Sequence, residues 1–492
     1  MKFFVIGAYV AILFTIAFFS MKKTKTLNDF FLGGRTIGPW VSAFTYGTTY
    51  FSAVLFIGYA GKVGWGFGLS ALWIVLGNAV IGSFLAWKIL AKPTRNMTER
   101  LGTMTMPGFL EKRYQSKNLK IVAALIIFIF LVPYSASVYM GLSYFFESVF
   151  GIPYAYALGF MAIMTAIYLT MGGYFALTLN DLFQGIVMIF GVIIMVFFVV
   201  NSSEVGGFMN IVPSLASINP KLVSPIGPPG AISLFSLVIL TSLGPWGLPQ
   251  MVQKFYSIKN DKVISTAMWA TTFFALLIAF GAYFTGSLSH LFFNNLDQVG
   301  GNIDKLMPTI MNSTLPGAVS VLILLLVLSA SMSTLASIVL VSSSSIAVDL
   351  LQTVKPDNKD KNTILIMRLL CLVFIAFSLY LAIKPNVILN LMAISWGTVA
   401  GAFIGPYLFG LFYKKATKAG AWAGILVGAG FSIIFSFVFP ASIPTVGSIA
   451  MVLSLITVPV VSAFTAKLPE EHLEMIFAES DSDLILIPKT AK

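Results

Sequence analysis

One cysteine, two histidines and 18 acidic residues are spread over a chain of 492. Each scarcity excludes something. Cys371 stands alone in an apolar run, so no internal disulfide forms and thiol chemistry has no second partner. Charged residues make up 10% of the chain against 58% hydrophobic ones, too few to cover the surface of a soluble protein of this size. No polar stretch has room for a soluble domain; the longest is the tail after Lys467. What remains is a polytopic membrane protein. Its formal charge of +12 would by itself suggest a nucleic-acid partner, but the placement of the charges says otherwise.

A spanning helix needs about 20 mostly apolar residues. Thirteen stretches qualify, near 3–20, 39–61, 69–91, 120–149, 153–175, 180–201, 231–254, 263–290, 315–347, 363–383, 386–412, 418–439 and 444–465. The first is too long for a signal-peptide core, and Lys22, Lys23 and Lys25 follow where small cleavage-site residues would stand. A retained first helix with an external N-terminus is expected. Every Lys and Arg except Lys2, Lys62, Lys221, Lys305 and Lys384 then falls on the cytoplasmic side, including Arg35, the run from Lys254 to Lys262 and that from Lys355 to Arg368. The positive charge is a topology signal. It excludes nucleic acid, makes the lipid bilayer the partner, and predicts a multi-pass plasma-membrane protein of the prokaryotic inner-membrane kind.

Two of these stretches are interrupted near mid-length. The second carries Gly47-Thr48-Thr49-Tyr50-Phe51-Ser52, and the seventh carries Gly244-Pro245-Trp246-Gly247-Leu248-Pro249. Broken helices at matching places in two halves of a membrane protein point to a transporter's binding site, although such a break is also often only a kink. The two breaks lie five stretches apart, so stretches 2–6 and 7–11 read as five-helix repeats of opposite orientation.

Acids are missing from the membrane. Asp181 and Asp349 fall near cytoplasmic helix ends, Glu147 near an external one, and neither His290 nor His472 is at mid-span. A proton-coupled carrier needs a titratable group there, and none is expected deep in the broken helices. Neutral oxygens suit sodium instead: carbonyls freed by unwound backbone, together with hydroxyls. The ninth stretch supplies hydroxyls in Ser329-Ala330-Ser331-Met332-Ser333-Thr334, with Ser337 one turn beyond Ser333 and Ala330 on the same face. Close packing of small residues explains the same pattern, and the residues alone leave both readings open.

Four segments carry a family resemblance: Asp29-Phe30-Phe31-Leu32-Gly33-Gly34-Arg35, Tyr168-Leu169-Thr170-Met171-Gly172-Gly173-Tyr174, Asn180-Asp181-Leu182-Phe183-Gln184-Gly185 and Met332-Ser333-Thr334-Leu335. In order and spacing the chain resembles the sodium:solute symporter family, which contains sodium/proline, sodium/pantothenate and sodium/glucose carriers. The resemblance implies an all-α membrane protein with 13 transmembrane helices, N outside and C inside, and a 5+5 inverted repeat of the leucine-transporter type. Residues 1–20 would be an additional first helix, 39–201 the first repeat, 231–412 the second, 418–465 helices 12 and 13, and 466–492 a cytoplasmic tail. It further implies a sodium site made by the backbone of Thr48 and Phe51 with Ala330, Ser333 and Thr334, with Asp181 attending sodium near the inner exit. On the residues alone, Asp181 can also be read as a carboxylate near a helix N-terminus at the membrane surface, the less favoured reading. Arg35 is an inner-gate residue or, preferably, a positive-inside anchor.

For the substrate, Tyr50, Ser52, Tyr139, Trp246 and Gly247 are the expected contacts. Sodium/proline carriers place an acid where Tyr50 stands, and a Trp and a Tyr where Thr241 and Pro245 stand; residues 49–52 and 219–223 look more like the pantothenate branch. No fixed charge is placed to pair with a cationic substrate, and freed amides with bound sodium suit a carboxylate. The expectation is a sodium-coupled symporter, monomeric in function, for a small carboxylate-bearing solute: pantothenate- or monocarboxylate-like, or a proline-like amino acid. A sodium/sugar symporter is the alternative, although sugar sites usually need more Asn, Gln, Glu and Lys than these helices carry. A receptor on a transporter fold would need a signalling domain larger than the tail, and an enzyme would need a buried acid, base or metal-ligand cluster that the sequence does not show.

Overall fold

Apolar stretches in hydrocarbon fold as helices, because every unpaired backbone amide there costs several kcal/mol. The computed structural model, which describes residues 2–21, 26–317, 319–351, 360–383 and 387–478, is accordingly helical throughout. Lys22, Lys23, Lys25, Lys355, Lys384 and the tail from 479 lie outside the described residues, as do the side chains of 168–172. Among the described residues the one β pairing is a parallel bridge between Ile37 and Ile258.

The chain opens with α1 (Lys2–Met21) and, after a short amphipathic turn, α2 (Pro39–Tyr50). A π-helical stretch, Val54–Tyr59, leads into α3 (Ala60–Phe67). A turn at Gly68, then α4 (Leu72–Ala79) and α5 (Ala86–Arg100), bring the chain back across. Next come α6 (Met106–Tyr114), α7 (Lys117–Phe150) and α8 (Tyr154–Val200). The second half of the chain holds α9 (Ala231–Gly247), α10 (Pro249–Tyr256), α11 (Lys262–Ser287) and α12 (Val319–Ser344). It closes with α13 (Asp360–Ile383), α14 (Ile388–Phe412), α15 (Lys418–Val438), α16 (Ile443–Ala463) and a short α17 (Glu470–Phe477).

Among the described residues nine helices are long and apolar enough to cross a membrane, ten if the bent pair α9–α10 is one span. That is fewer than thirteen for physical reasons. The apolar parts near 4–20 and 154–167 are short helices, and the stretches either side of Gly68 follow one another with no loop between, so Val54–Arg100 counts once although the chain turns at Gly68 (φ 59°, ψ −141°). The fifth and sixth stretches adjoin in the same way: α8 is two helices that meet at Gly173, whose backbone is not helical (φ 61°, ψ −166°). A side chain there would also meet the ring of Phe30 at 3.0 Å, so glycine is required twice over.

The core is one of helices within helices. In its most apolar window α12 is 94% buried, so it is wrapped by α8, α7 and α13 rather than by lipid. A second group, α14, α15 and α16, packs tightly together, and α14 also contacts α7 and α9. Bulky side chains on α8, α11 and α13, such as Phe190, Phe273 and Phe377, are exposed and form the lipid-facing surface. One end of the molecule is basic. Arg35, Arg95, Arg100 and Arg113 gather there, each donating to backbone carbonyls at the ends of other elements.

Candidate sodium and substrate sites

Both sequence breaks are present, the second inside the bent span of α9 and α10, the first between α2 and the helical segment that begins at Val54. The first interrupts the helix at Phe51, which is extended (φ −110°, ψ 100°); Ser52 comes next, its Oγ accepting the Val54 amide at 3.2 Å before the helix resumes. The second lies at Leu248 (φ −85°, ψ 121°), and α9 and α10 meet there at 45°. Pro249 drives it, since a residue before proline is pushed out of the helical region.

The first break faces α12. Ser333 Oγ donates to the Thr48 carbonyl at 3.1 Å and lies 2.9 Å from Ser329 O and 3.3 Å from Ala330 O. Thr334 Oγ1 lies 3.2 Å from Thr48 O and 3.4 Å from Thr49 O. Four of the five expected positions, Thr48, Ala330, Ser333 and Thr334, therefore converge. The second carbonyl these hydroxyls reach belongs to Thr49, a residue the sequence reading did not assign to the site. Phe51 stands at the far end of the break's backbone, with its ring over that of Tyr50. Oxygens at right angles around a hard cation at roughly 2.3–2.6 Å stand about 3.3–3.7 Å apart. The separations here, 3.1 to 3.4 Å, fit such an ion with small adjustments. All of these residues are buried, so an ion here loses its water shell to protein oxygens.

Asp181 is fully buried, well inside the helical run that begins at Gly173, rather than at a surface helix end. Its neighbours are the Lys254 ammonium, which acts on it through charge, and the Thr45 hydroxyl, a hydrogen-bond donor to it; neither carboxylate oxygen is otherwise paired. Lys254 is itself a correction. The sequence reading placed it among the cytoplasmic positive charges and expected no titratable group deep in the broken helices. The structure buries it at 1% exposure in α10, with Nζ donating to Ser337 Oγ at 2.9 Å and lying 5.1 Å from the Tyr174 ring centre. Every residue of α10 is buried, so the helix carries Lys254 inward whatever its charge. Its signal in the sequence was the aromatic pair Phe255-Tyr256 directly after it, an apolar run that resumes instead of ending.

Beyond the first break lies a narrow cavity of about 20 Å³, lined by Tyr50, Phe51, Ser52, Tyr59, Asn78, Thr241, Tyr283, Met392 and Trp396 among others. That is space for about one water, so its walls part before a solute enters. Of the expected substrate contacts, Tyr50 and Ser52 line this cavity. Tyr50 Oη donates to Thr241 O at 2.6 Å and so ties the first break to α9. Three expected contacts are not in the lining. Tyr139 is buried with its hydroxyl beside Thr165. Trp246 Nε1 donates to Ile81 O at 3.0 Å. Gly247 is pressed against α14, where a Cβ would lie 2.8 Å from Ala400 O. Periodicity around a break shows which residues are near it, not which side they face. Asn78 and Trp396 take part in their place, each an isolated polar-tipped side chain in an apolar span.

Arg35 is more than an anchor. Its guanidinium donates to Tyr256 O at 2.9 Å, Thr103 O at 2.8 Å and Thr98 Oγ1 at 3.2 Å, joining the approach to α2 with the ends of α10 and α5. Burial lowers its pKa from the ordinary arginine value.

Helices broken in pairs around a buried oxygen cluster and a closed cavity define a secondary transporter. Solved structures of similar shape agree on the fold. A Na+-coupled sialic acid symporter, in a substrate-bound outward-open state described as revealing a novel Na+ site, matches with a TM-score of 0.78 at 17% identity, over 95% of this chain and 98% of that one. Mhp1, a nucleobase-cation-symport-1 family transporter, matches at 0.54 and 15% identity, over 91% and 97%. By sequence, residues 30–428 match the sodium:solute symporter family. Two sodium/proline symporters of Staphylococcus aureus are 32% and 31% identical over 434 and 433 residues, covering 86% of this chain and 83% of theirs. The chain belongs to the sodium:solute symporter family, a family of multi-pass membrane transporters, and sodium is its coupling ion.

Proposed function

We propose that this protein takes up a small carboxylate-bearing organic solute by sodium-coupled alternating access, with sodium held by the carbonyls of Thr48, Thr49 and Ala330 and the hydroxyls of Ser333 and Thr334, and with Phe51 closing the cage. The observation that carries it is the convergence of two α12 hydroxyls on the carbonyls of the first break, at 3.1 and 3.2 Å from Thr48 O. Asp181 attends the inner end of the ion's path. The cavity begins at Phe51, where the oxygen cluster ends, and its described lining holds no charged side chain. A bound sodium and the break's backbone then supply the positive potential for a carboxylate. Tyr50, Trp396, Tyr283 and Met392 enclose the apolar remainder. The sodium/proline relatives favour a proline-like amino acid, while Tyr50 and Thr241 stand where those carriers keep other residues, which favours the pantothenate- or monocarboxylate-like class. One amide, Asn78, is too little for a sugar.

In this reading the chain acts as a monomer with thirteen spans, N outside and C inside, in a prokaryotic inner membrane. Support comes from the short apolar helices, the Gly68 turn and the basic end. Residues 39–201 and 231–412 are its two repeats, α1, α15 and α16 its additions. The inward gradient drives uptake, and the membrane potential adds about 2.3 kcal/mol per charge per 100 mV. The test is counterflow in proteoliposomes with and without sodium, using proline, pantothenate, short monocarboxylates and sugars. Sodium-dependent exchange of a carboxylate-bearing solute is expected; exchange of a sugar alone would sink the substrate class.

A further inference from the structure

The sodium reading gives Asp181 a place on the ion's path but none to Lys254, although the two are opposite charges buried on the basic side of the oxygen cluster. Lys254 Nζ ends a chain of hydrogen bonds. It donates to Ser337 Oγ at 2.9 Å, and Ser337 Oγ shares a 2.9 Å bond with Thr49 Oγ1. Thr49 in turn presents one of the carbonyls that Thr334 reaches. The ammonium on the second broken helix is thus fastened, through α12, to the backbone that would hold sodium on the first. Ser337 sits one turn from Ser333 on the same face of α12, toward the basic end. An ion leaving on that side meets a fixed positive charge at Ser337.

Asp181 offers that charge somewhere else to go. Its oxygens are fully buried with the Thr45 hydroxyl as their neighbouring donor, and Lys254 is the one cation whose charge acts on them. A buried carboxylate in that condition is costly unless a cation stands by it. We propose that Lys254 is a positioning residue for sodium release, with two seats. On Ser337 its ammonium bars the way to the basic side and holds α10 against α12. On Asp181 it clears Ser337, lets α10 part from α12 and lets sodium leave. The buried charge is conserved in both seats, so the exchange takes place inside the membrane without a proton.

The inference rests on the sodium site of the proposed function, and the test separates the two. Proteoliposome uptake and sodium-dependent thermal shift are measured on Lys254→Met, Lys254→Arg, Lys254→Met with Asp181→Asn, and Ser337→Ala, with Ser333→Ala alongside. In Lys254→Met the uncompensated carboxylate retains sodium, so half-saturation in the thermal shift is unchanged or lower while uptake falls at least tenfold. Lys254→Arg keeps at least half of the uptake. Adding Asp181→Asn to Lys254→Met recovers uptake at least threefold, which a merely structural lysine would not allow. Ser337→Ala keeps both charges and is the variant least exposed to misfolding; it raises half-saturating sodium about threefold or more with uptake at saturation largely kept. Lys254→Met uptake within twofold of the parent, no recovery in the double variant, or unchanged sodium dependence in Ser337→Ala would each overturn the proposal. A silent Ser333→Ala overturns the sodium site itself; a strong Ser333→Ala effect beside silent Lys254 and Ser337 variants overturns only the two-seat latch.

Discussion

The two broken helices reach the same outline by different chemistry. The first contains no proline: its backbone leaves the helix at Phe51, Ser52 accepts the Val54 amide as the helix resumes, and the freed carbonyls of Thr48 and Thr49 are met by α12 hydroxyls. The second is broken by Pro249 and closed by contact, with Gly247 seated against the α14 backbone. A break held by hydrogen bonds to movable hydroxyls can exchange those bonds for an ion. One held by proline geometry and steric fit is a fixed bend. The first is therefore suited to sensing sodium and the second to giving the cavity a rigid wall, and substitutions at each break sharpen or overturn that division.

The largest effect is expected at the first break. Ser333→Ala or Thr334→Ala removes one oxygen from the proposed sodium site; loss of a hydrogen-bonding partner to a charged species typically costs about 1.5–3 kcal/mol, so a roughly ten- to hundredfold rise in half-saturating sodium is expected, with protein abundance little changed. Uptake measured against sodium concentration checks this, and an unchanged curve in both variants breaks the comparison. At the second break Gly247→Ala forces a methyl to 2.8 Å from Ala400 O. Overpacking of this kind costs about 1–3 kcal/mol, so a lowered melting temperature is expected with the sodium dependence of the surviving protein intact. Tyr50→Phe cuts the 2.6 Å bond to Thr241 O that couples the two breaks. Loss of one neutral hydrogen bond, about 0.5–1.5 kcal/mol, should weaken solute half-saturation about two- to twelvefold without shifting that of sodium in the absence of solute.

The effect least tied to either break lies outside the spans, at Asp304, whose carboxylate accepts the Ile388 amide at 3.0 Å and so caps α14. Burial pushes its pKa up to about 6, although that amide and Lys62 favour the charged form. Its unfolded value is about 3.9. Because the folded value is the higher one, the stability it contributes is present below about pH 4 and lost as pH rises through about 6. Thermal unfolding between those values should show a shallow decline that Asp304→Asn removes. An equally steep decline in the variant assigns it to other groups.

Much of this was legible in the sequence, and the residues say why. Gly47 to Ser52 and Gly244 to Pro249 announce their breaks through local backbone chemistry, which does not depend on partners. Ser333 and Thr334 were legible because a hydroxyl pair in an apolar span needs an explanation. The wall of the cavity was not, since Trp246 and Gly247 face Ile81 and α14 while Thr241, a turn and more earlier, faces Tyr50. Which way a side chain points at a break depends on the bend angle and on helices far away in the chain. Lys254 was misread because a sequence shows a charge near the end of an apolar run but not where the membrane boundary falls.

The small bridge between Ile37 and Ile258, flanked by Arg35 on the Tyr256 carbonyl, moors the entrance of α2 to the exit of α10. A mooring there makes the two broken helices a single lever on the basic face. Neither can peel away alone, so whatever opens that side must swing both together about a pivot nearer the opposite face, and a force applied to one break is delivered to the other.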